Sequence, residues 1–130
     1  FQDINQIEKY LDHNGILVLK FFLHVSKKEQ KKRFLERLDR QEKNWKFSEA
    51  DVKERQHWDE YMEAYEDMIR NTASENAPWF VVPANNKWYT RAIVAGAIID
   101  ALAALKLEFP KLDKDKLKDL EIAREELMNE

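Results

Sequence analysis

The pattern of apolar and polar positions divides the chain into alternating helices and strands. Apolar residues recur at helical spacing over residues 1–15, where an Asn-Gly pair is a C-terminal stop signal. Residues 16–25 are β-branched, aromatic and almost wholly apolar, which is typical of a central parallel strand covered on both faces. Ser26 and Glu29 then match a capping box, in which the serine accepts an N–H and the glutamate reaches back. A helix is predicted from there to about Leu38.

The second half of the chain repeats this alternation. Residues 39–47 have no clear period and are predicted to form a loop. Ser48 is a second capping signal, and it opens a strongly amphipathic helix whose apolar stripe continues to Ile69. The segment 79–84 is a short apolar strand with a proline near its end, where the missing N–H is tolerated. A further helix with an apolar stripe is predicted over 87–107.

Two buried strands connected by helical crossovers predict an α/β protein with a parallel sheet. Two strands are too few for a sheet that is stable alone. The chain also begins at Phe1, without methionine, directly in helix-like sequence. Both observations predict that more of the domain lies upstream. We expect residues 1–108 to belong to one domain and the charged residues 109–130 to form a helical extension.

Composition narrows the possible functions. The chain has 130 residues, of which 44% are hydrophobic and 36% charged, as expected of one soluble globular domain. The net charge of −3 gives no general attraction to nucleic acid, and no apolar run is long enough for a membrane span. The absence of cysteine excludes a disulfide scaffold, a thiolate zinc site and a cysteine nucleophile. It also fits a reducing compartment, so a cytoplasmic protein is expected.

The chain has only two glycines, so it has no glycine-rich loop that could cradle a phosphate. Candidate ligand-binding residues must therefore be other groups beyond the carboxyl ends of the two strands, where open parallel sheets bind their ligands. Five basic residues within fourteen positions follow the first strand: Arg33, Arg37, Arg40, Lys43 and Lys46. They fit a mobile basic lid over a polyanion, because guanidinium groups match phosphoryl oxygens. The alternative is a solvated helix face that ends in a charged loop.

Four further charged residues have unusual positions. Asp51 and Arg55 extend the apolar stripe of their helix by one turn and so lie on its inward face. Either they pair with each other, or this end of the helix lines a polar site. Lys87 and Arg91 follow the second strand, and Arg91 lies on the stripe of its own helix.

The remaining candidates are less specific. His24 ends the first strand and is either a base or, as is more usual, a satisfied core residue. The four tryptophans are predicted to serve core or hinge packing, although the one in the basic loop could also stack on a base (Trp45, Trp58, Trp79 and Trp88). No Ser-His-Asp arrangement and no metal-ligand spacing was identified.

Three segments together resemble one known family. The segments "LKFFLHVSKKEQKKRFLERLD", "KNWKFSEADVKERQHWDEYMEAYEDMI" and "APWFVVPANNKWYTRAIVAGAI" look like successive blocks of the polyphosphate kinase 2 family, over about residues 16–105. The resemblance implies a P-loop kinase fold, related to thymidylate and adenylate kinases, with a helical lid at about 33–58. It also implies transfer of a phosphoryl group between inorganic polyphosphate and a nucleoside mono- or diphosphate, with Mg²⁺.

The resemblance also implies roles for individual residues. Lid residues expected to act in catalysis are Arg33, Arg37, Lys43 and Lys46. Residues expected to bind substrate or nucleotide are Arg40, Asp51, Arg55, Lys87 and Arg91. The family's Walker A and Walker B segments, with the aspartate for magnesium, would lie upstream and are absent from this sequence. We therefore expect the chain to be the C-terminal half of the enzyme and to be inactive alone.

Two alternatives to this function stay open. The stripe over 58–69 and the last helix could form a non-catalytic helical module for interaction or self-association. The chain could also be half of a nucleoside monophosphate kinase that uses ATP as donor. A homo-oligomer is expected, and neither nucleic acid nor a membrane is expected as a partner.

Overall fold

A computed structural model describes residues 1–129. Over these residues the chain forms six α-helices and two β-strands: α1 (Gln2–His13), β1 (Lys20–His24), α2 (Lys27–Asp39), α3 (Glu49–Glu54), α4 (Trp58–Thr72), β2 (Trp79–Pro83), α5 (Lys87–Ala104) and α6 (Lys114–Met128). Residues 1–99 form one compact unit, and a second unit begins at Asp100. The predicted division at residue 108 stays a prediction.

The two strands pair in parallel, which confirms the predicted α/β architecture. Lys20 lies opposite Trp79 and His24 opposite Pro83. The first strand is shorter than the predicted 16–25, because it is ordered as a strand only where β2 offers a partner. The prediction that both faces are covered is wrong for this chain, since Leu23 is 50% exposed and Val81 57% exposed.

A part-buried polar network connects the elements at the amino-terminal end of the two strands, called the amino edge of the sheet. The Lys20 ammonium donates to Glu8 Oε2 on α1 and to the Thr72 carbonyl at the end of α4, both at 2.6 Å. Trp79 Nε1 donates to Thr72 Oγ1 at 2.9 Å. These bonds connect α1, β1, α4 and β2. Val82, three residues after Trp79, is 1% exposed and belongs to the small apolar core.

The first helix ends at the predicted stop signal. Asn14 is the C-cap, and Gly15 adopts a φ of 75°, in the left-handed region that favours glycine. The Gly15 N–H donates to Asp12 O at 2.9 Å, and the Ile16 N–H donates to Leu11 O at 3.0 Å. The turn therefore satisfies carbonyls that the helix leaves unpaired.

The predicted capping box is only half correct. Ser26 Oγ accepts from the Glu29 N–H at 3.2 Å, as expected. The Glu29 carboxylate, however, accepts from Arg33 Nε at 2.9 Å instead of reaching back. The Ser26 N–H donates instead to Asn85 Oδ1 at 2.9 Å. A tertiary partner has thus replaced the local one.

The region between α2 and α4 is more helical than predicted. The predicted loop 39–47 contains a 3₁₀-helix, Gln41–Lys46. Asn44 Nδ2 donates to the Arg37 and Leu38 carbonyls, which satisfies the end of α2 and folds the segment back. The single helix predicted from Ser48 is divided into α3 and α4 by a 3₁₀ turn at Arg55–His57.

The last two helices differ from prediction in length and packing. α5 ends at Ala104 instead of 107, because Lys106 has a positive φ of 48° and cannot continue the helix. The predicted stripe of α5 is largely exposed in this chain: Ile99, for example, is 63% exposed. α6 begins at the cap Asp113, whose side chain accepts from the Lys116 N–H at 2.8 Å.

Candidate functional site

The carboxyl ends of the two strands bring two loops together. The Ala84 N–H donates to His24 O at 2.8 Å and so extends the ladder by one bond. Asn85 Oδ1 accepts from the Ser26 N–H, so the loop before α5 contacts the loop before α2. Two helices therefore begin side by side at the edge where parallel α/β sheets bind their ligands.

Arg33, which was expected to act in the lid, contacts this loop pair. Its Nε donates to Glu29, and its Nη2 donates to Ala84 O at 2.7 Å and to Asn85 O at 3.0 Å. The side chain is 25% exposed. Arg33 thus joins α2 to the end of β2.

Arg40 and Lys43 are paired with carboxylates on the protein surface. Lys43 Nζ donates to Glu36, and Arg40 contacts both Glu36 and Glu42. The hydrogen bond and charge of Lys43, followed by those of Arg40, lower the pKa of Glu36. The hydrogen bond from Arg40 also helps to lower the pKa of Glu42, after that from the backbone. These cations are therefore partly neutralised.

Five other predicted cations have no carboxylate partner within residues 1–129: Arg37, Lys46, Arg55, Lys87 and Arg91. The Arg37 guanidinium lies 5.6 Å from the centre of the Phe34 ring, and Lys46 Nζ lies 4.8 Å from that of Trp45. A stacked cation keeps its hydrogen-bond donors available to a ligand.

A cleft of about 480 Å³ lies beyond the carboxyl end of β1, and Asp51 and Arg55 line it. The described residues contain no ion pair between these two, so the interpretation as a mutual pair is wrong. Arg55 Nη1 instead donates to Lys27 O at 2.8 Å and to Gln30 Oε1 at 2.9 Å. The geometry favours the other interpretation, in which this end of the helix lines a polar site.

Aromatic side chains form one wall of the cleft, and the sequence-based reasoning did not single them out for the site. The Phe22 and Tyr65 rings lie 5.0 Å apart, and Tyr61 stacks on Tyr65 at 6.1 Å. The Tyr61 hydroxyl donates to Glu54 at 2.6 Å, and this bond raises the pKa of Tyr61. The only signal in the sequence was the apolar stripe of α4, which predicts packing as readily as a site.

Two predictions of burial are wrong. His24 is exposed and lines the cleft, so it is not a core residue. Trp45 is 78% exposed and Trp88 is 69% exposed, so neither packs in a core of this chain. Trp45 lies in the basic segment, and Trp88 lies on the predicted stripe of α5, which is largely exposed in this chain.

Within the described part of the chain, neither a metal-binding cluster nor a membrane-spanning helix is present. No group of three or more His, Asp or Glu side chains within it could hold a metal ion. No helix in residues 1–129 has the length and apolar character needed to cross a membrane.

Known proteins resemble this chain over most of its length. The model of the family Polyphosphate kinase 2 (PPK2) matches residues 1–110. An ADP-polyphosphate phosphotransferase from Rhodopseudomonas palustris is 46% identical over 128 residues, which are 98% of this chain and 44% of that protein. An uncharacterized protein in the chlN 3′ region of Leptolyngbya boryana is 52% identical over 130 residues, and the match covers 96% of its length.

The crystal structure of polyphosphate kinase 2 from Arthrobacter aurescens TC1 has the same fold. It superposes with a TM-score of 0.83 at 44% identity, over 94% of this chain and 44% of that chain. The two strands and their helices are therefore part of a P-loop kinase fold. The chain spans less than half the length of the two named polyphosphate enzymes.

Proposed function

The chain belongs to the polyphosphate kinase 2 family, and we propose that it is part of a phosphotransferase acting between inorganic polyphosphate and a nucleoside mono- or diphosphate. Named relatives with phosphotransferase activity support this proposal. Because the chain spans 44% of such a relative, the activity is proposed for the assembled protein.

The observation that carries the proposal is the division of the basic residues. Arg40 and Lys43 have carboxylate partners within residues 1–129, whereas Arg37, Lys46, Lys87 and Arg91 have none. A cation without a carboxylate partner keeps its charge and its hydrogen-bond donors available to an anion. Polyphosphate carries regularly spaced phosphoryl groups, which match several such cations at once.

Each group of cations has a proposed task. Arg37 and Lys46, in the lid, would contact the polyphosphate and offset the charge of the transferred phosphoryl group. Lys87 and Arg91, at the start of α5, would hold the nucleotide phosphates. Arg40 and Lys43 would contribute only after exchanging Glu36 and Glu42 for phosphate, so we assign them weaker roles.

The magnesium ion expected for this family is also a proposal. Since residues 1–129 contain no metal-binding cluster, its ligands are proposed to lie outside them. The tasks assigned to this chain's own residues are charge neutralisation and positioning, which need no covalent protein intermediate.

The exposed apolar faces of the sheet support the proposal that more of a family domain covers them. Leu23 and Val81 lie on a sheet of only two strands. Apolar side chains exposed on a sheet leave surface that further packing would bury. The remaining part of a polyphosphate kinase 2 domain would supply it.

A binding experiment tests the proposal on the 130-residue chain. We expect tripolyphosphate to bind with an affinity that falls as salt is added, measured by titration calorimetry. Arg37→Met should weaken binding about tenfold, the size of one charge-assisted hydrogen bond. Arg70→Met is the matched control, because Arg70 is an exposed arginine already paired with Glu66.

Two results would contradict the proposal. The first is the absence of any tripolyphosphate binding by the wild-type chain. The second is an equal loss of affinity in the Arg37 and Arg70 variants, which would indicate a general charge effect. In the intact protein, phosphoryl transfer from ATP alone, with none from polyphosphate, would favour the monophosphate kinase alternative.

Self-association is a separate proposal. The exposed apolar side chains of α5 and α6 include Ile99 and Leu127, and surfaces of this kind often mark interfaces. Light scattering over a concentration series tests it. A constant monomer mass would contradict the expected homo-oligomer.

A further inference from the structure

We infer that Arg33 is a positioning residue, whose hydrogen bonds hold the start of α2 against the loop between β2 and α5. Arg55 holds the chain that returns from the lid, just before α4, against the same part of α2. The segment between these two anchors, residues 34–54, is then the part of the lid that can move. This inference rests on the proposed function, since it assigns the fixed and the moving parts of the same site.

The Arg33 guanidinium is fully engaged with the protein on one side. Two of its nitrogens are engaged with three protein acceptors: Glu29 Oε1, Ala84 O and Asn85 O. Ala84 is 5% exposed, so an arginine that left it would leave a buried carbonyl without this donor. A phosphate that recruited these nitrogens would have to replace all three bonds. Arg33 is therefore better placed to hold protein than to hold substrate.

Arg33 contacts the loop between β2 and α5. Four successive carbonyls, from Pro83 to Asn86, lie within hydrogen-bond distance of side-chain donors. Arg33 donates to the middle two, and the single Thr90 hydroxyl lies 2.9 Å from each of the outer two, which share its one proton. Because this loop directly precedes Lys87, its conformation sets the direction in which α5 begins. Arg33 consequently positions Lys87 and Arg91 without contacting the ligand.

Arg55 is the second anchor of the lid, at the point where the chain leaves the lid toward α4. Arg55 begins the 3₁₀ turn that separates α3 from α4. Its guanidinium bonds to Lys27 O and Gln30 Oε1, in the first turn of α2. Arg33 and Arg55 therefore both fix the first part of α2, and they lie at the two ends of the lid segment.

The segment between the anchors is suited to movement. It contains the C-terminal turns of α2, the 3₁₀-helix Gln41–Lys46 and α3, which is only six residues long. Short helices and 3₁₀ segments hold few internal bonds. Arg37 and Lys46 lie on this moving part, while Lys87 lies on the fixed part. Closure of the lid would bring Arg37 and Lys46 toward Lys87.

The matched variants are Arg33→Met and Arg37→Met in the 130-residue chain. Methionine keeps an unbranched apolar stem and removes the guanidinium, and the two positions are one helical turn apart. Amide hydrogen exchange measured by NMR reports on the loops through the N–H groups of Ser26, Ala84 and Thr90, all of which are hydrogen-bonded. Titration with tripolyphosphate reports on binding.

We expect Arg33→Met to accelerate exchange of these three amides about tenfold, because local opening no longer breaks charge-assisted bonds. Its affinity for tripolyphosphate should fall less than that of Arg37→Met. Arg37→Met should leave the three exchange rates unchanged. Unchanged exchange in Arg33→Met would overturn the inference. A measurable loss of affinity in Arg33→Met that equals or exceeds the loss in Arg37→Met would also overturn it, since that result indicates direct ligand contact.

A second variant covers the case in which Arg33→Met does not fold, as judged by circular dichroism. Glu29→Gln keeps the guanidinium but removes the charged partner of its Nε. It should accelerate the same amides by a smaller factor, and no acceleration would count against the inference. If Arg33→Met and Arg37→Met both bind tripolyphosphate like the wild type while the exchange results hold, the proposed function fails and the positioning role of Arg33 stands.

Discussion

The part-buried ion pair at the amino edge of the sheet makes a sharp stability prediction. Lys20→Met removes an ammonium that donates to Glu8 and to the Thr72 carbonyl. The side chains of Lys20 and Glu8 are 11% and 10% exposed, so water cannot fully replace the lost partner. The methionine preserves the apolar stem of Lys20, which confines the change to the charge and its hydrogen bonds.

The expected magnitude follows from what is left unpaired. Breaking a buried ion pair by removing one partner typically costs about 3–5 kcal/mol, and the residual exposure places this pair near the lower end, at ~3 kcal/mol. Changing both residues, Glu8→Met with Lys20→Met, removes the unpaired charge. Only the Thr72 carbonyl then lacks its donor, which should lower the free energy of unfolding by about 1 kcal/mol. The double variant should therefore be more stable than either single variant.

Urea unfolding followed by tryptophan fluorescence measures these free energies, with the slope checked for constancy. The control is the exposed pair of Arg70 and Glu66, whose disruption should cost no more than about 0.5 kcal/mol. Additive losses in the double variant would refute the reasoning, because they would mean that the two charges do not interact. A cost for Lys20→Met as small as that of the control would refute it as well.

Two further predictions concern the backbone and the lid. Gly15→Ala should destabilise the chain by about 1 kcal/mol, because Gly15 has a φ of 75°. Gly96→Ala should stabilise it by about 0.5–1 kcal/mol, since Gly96 is helical and a Cβ there meets nothing within 4 Å. Thermal unfolding of both variants checks the opposite signs of the two changes in stability, and equal signs would contradict the argument. The lowered pKa of Glu36 means that its pairing favours the folded lid above the ordinary value of 4.5 and that this contribution is lost as the pH falls through the lower folded value. Carboxyl-carbon NMR should show the Glu36 midpoint below 4.5 and its partial return in Lys43→Met, and a wild-type midpoint at the ordinary value would be evidence against the pairing.

Local signals in the sequence predicted most of the secondary structure correctly. The Asn14-Gly15 stop, the Ser26 cap and the position of Pro83 at the end of β2 depend on the chemistry of residues close in the chain. The same local reasoning failed where a distant group competed. Glu29 was expected to complete its capping box but pairs with Arg33.

The candidate site shows the same division. The sequence identified the basic residues, because five cations within fourteen positions are visible without a structure. It could not show which of them are engaged. Arg33 bonds to carbonyls about 50 positions away, and Arg55 bonds to a helix turn 28 positions before it. Such partners become neighbours only when the sheet aligns the two strand ends.

The sequence by itself determined the order of helices and strands, the parallel α/β class, the resemblance to the polyphosphate kinase 2 family and the set of candidate cations. Those properties follow from periodicity, capping and residue type, which act over a few positions. The tertiary structure decided which cations hold the protein together and which have no carboxylate partner. That distinction depends on hydrogen bonds between residues far apart in sequence, whose geometry exists only after β1 and β2 have paired.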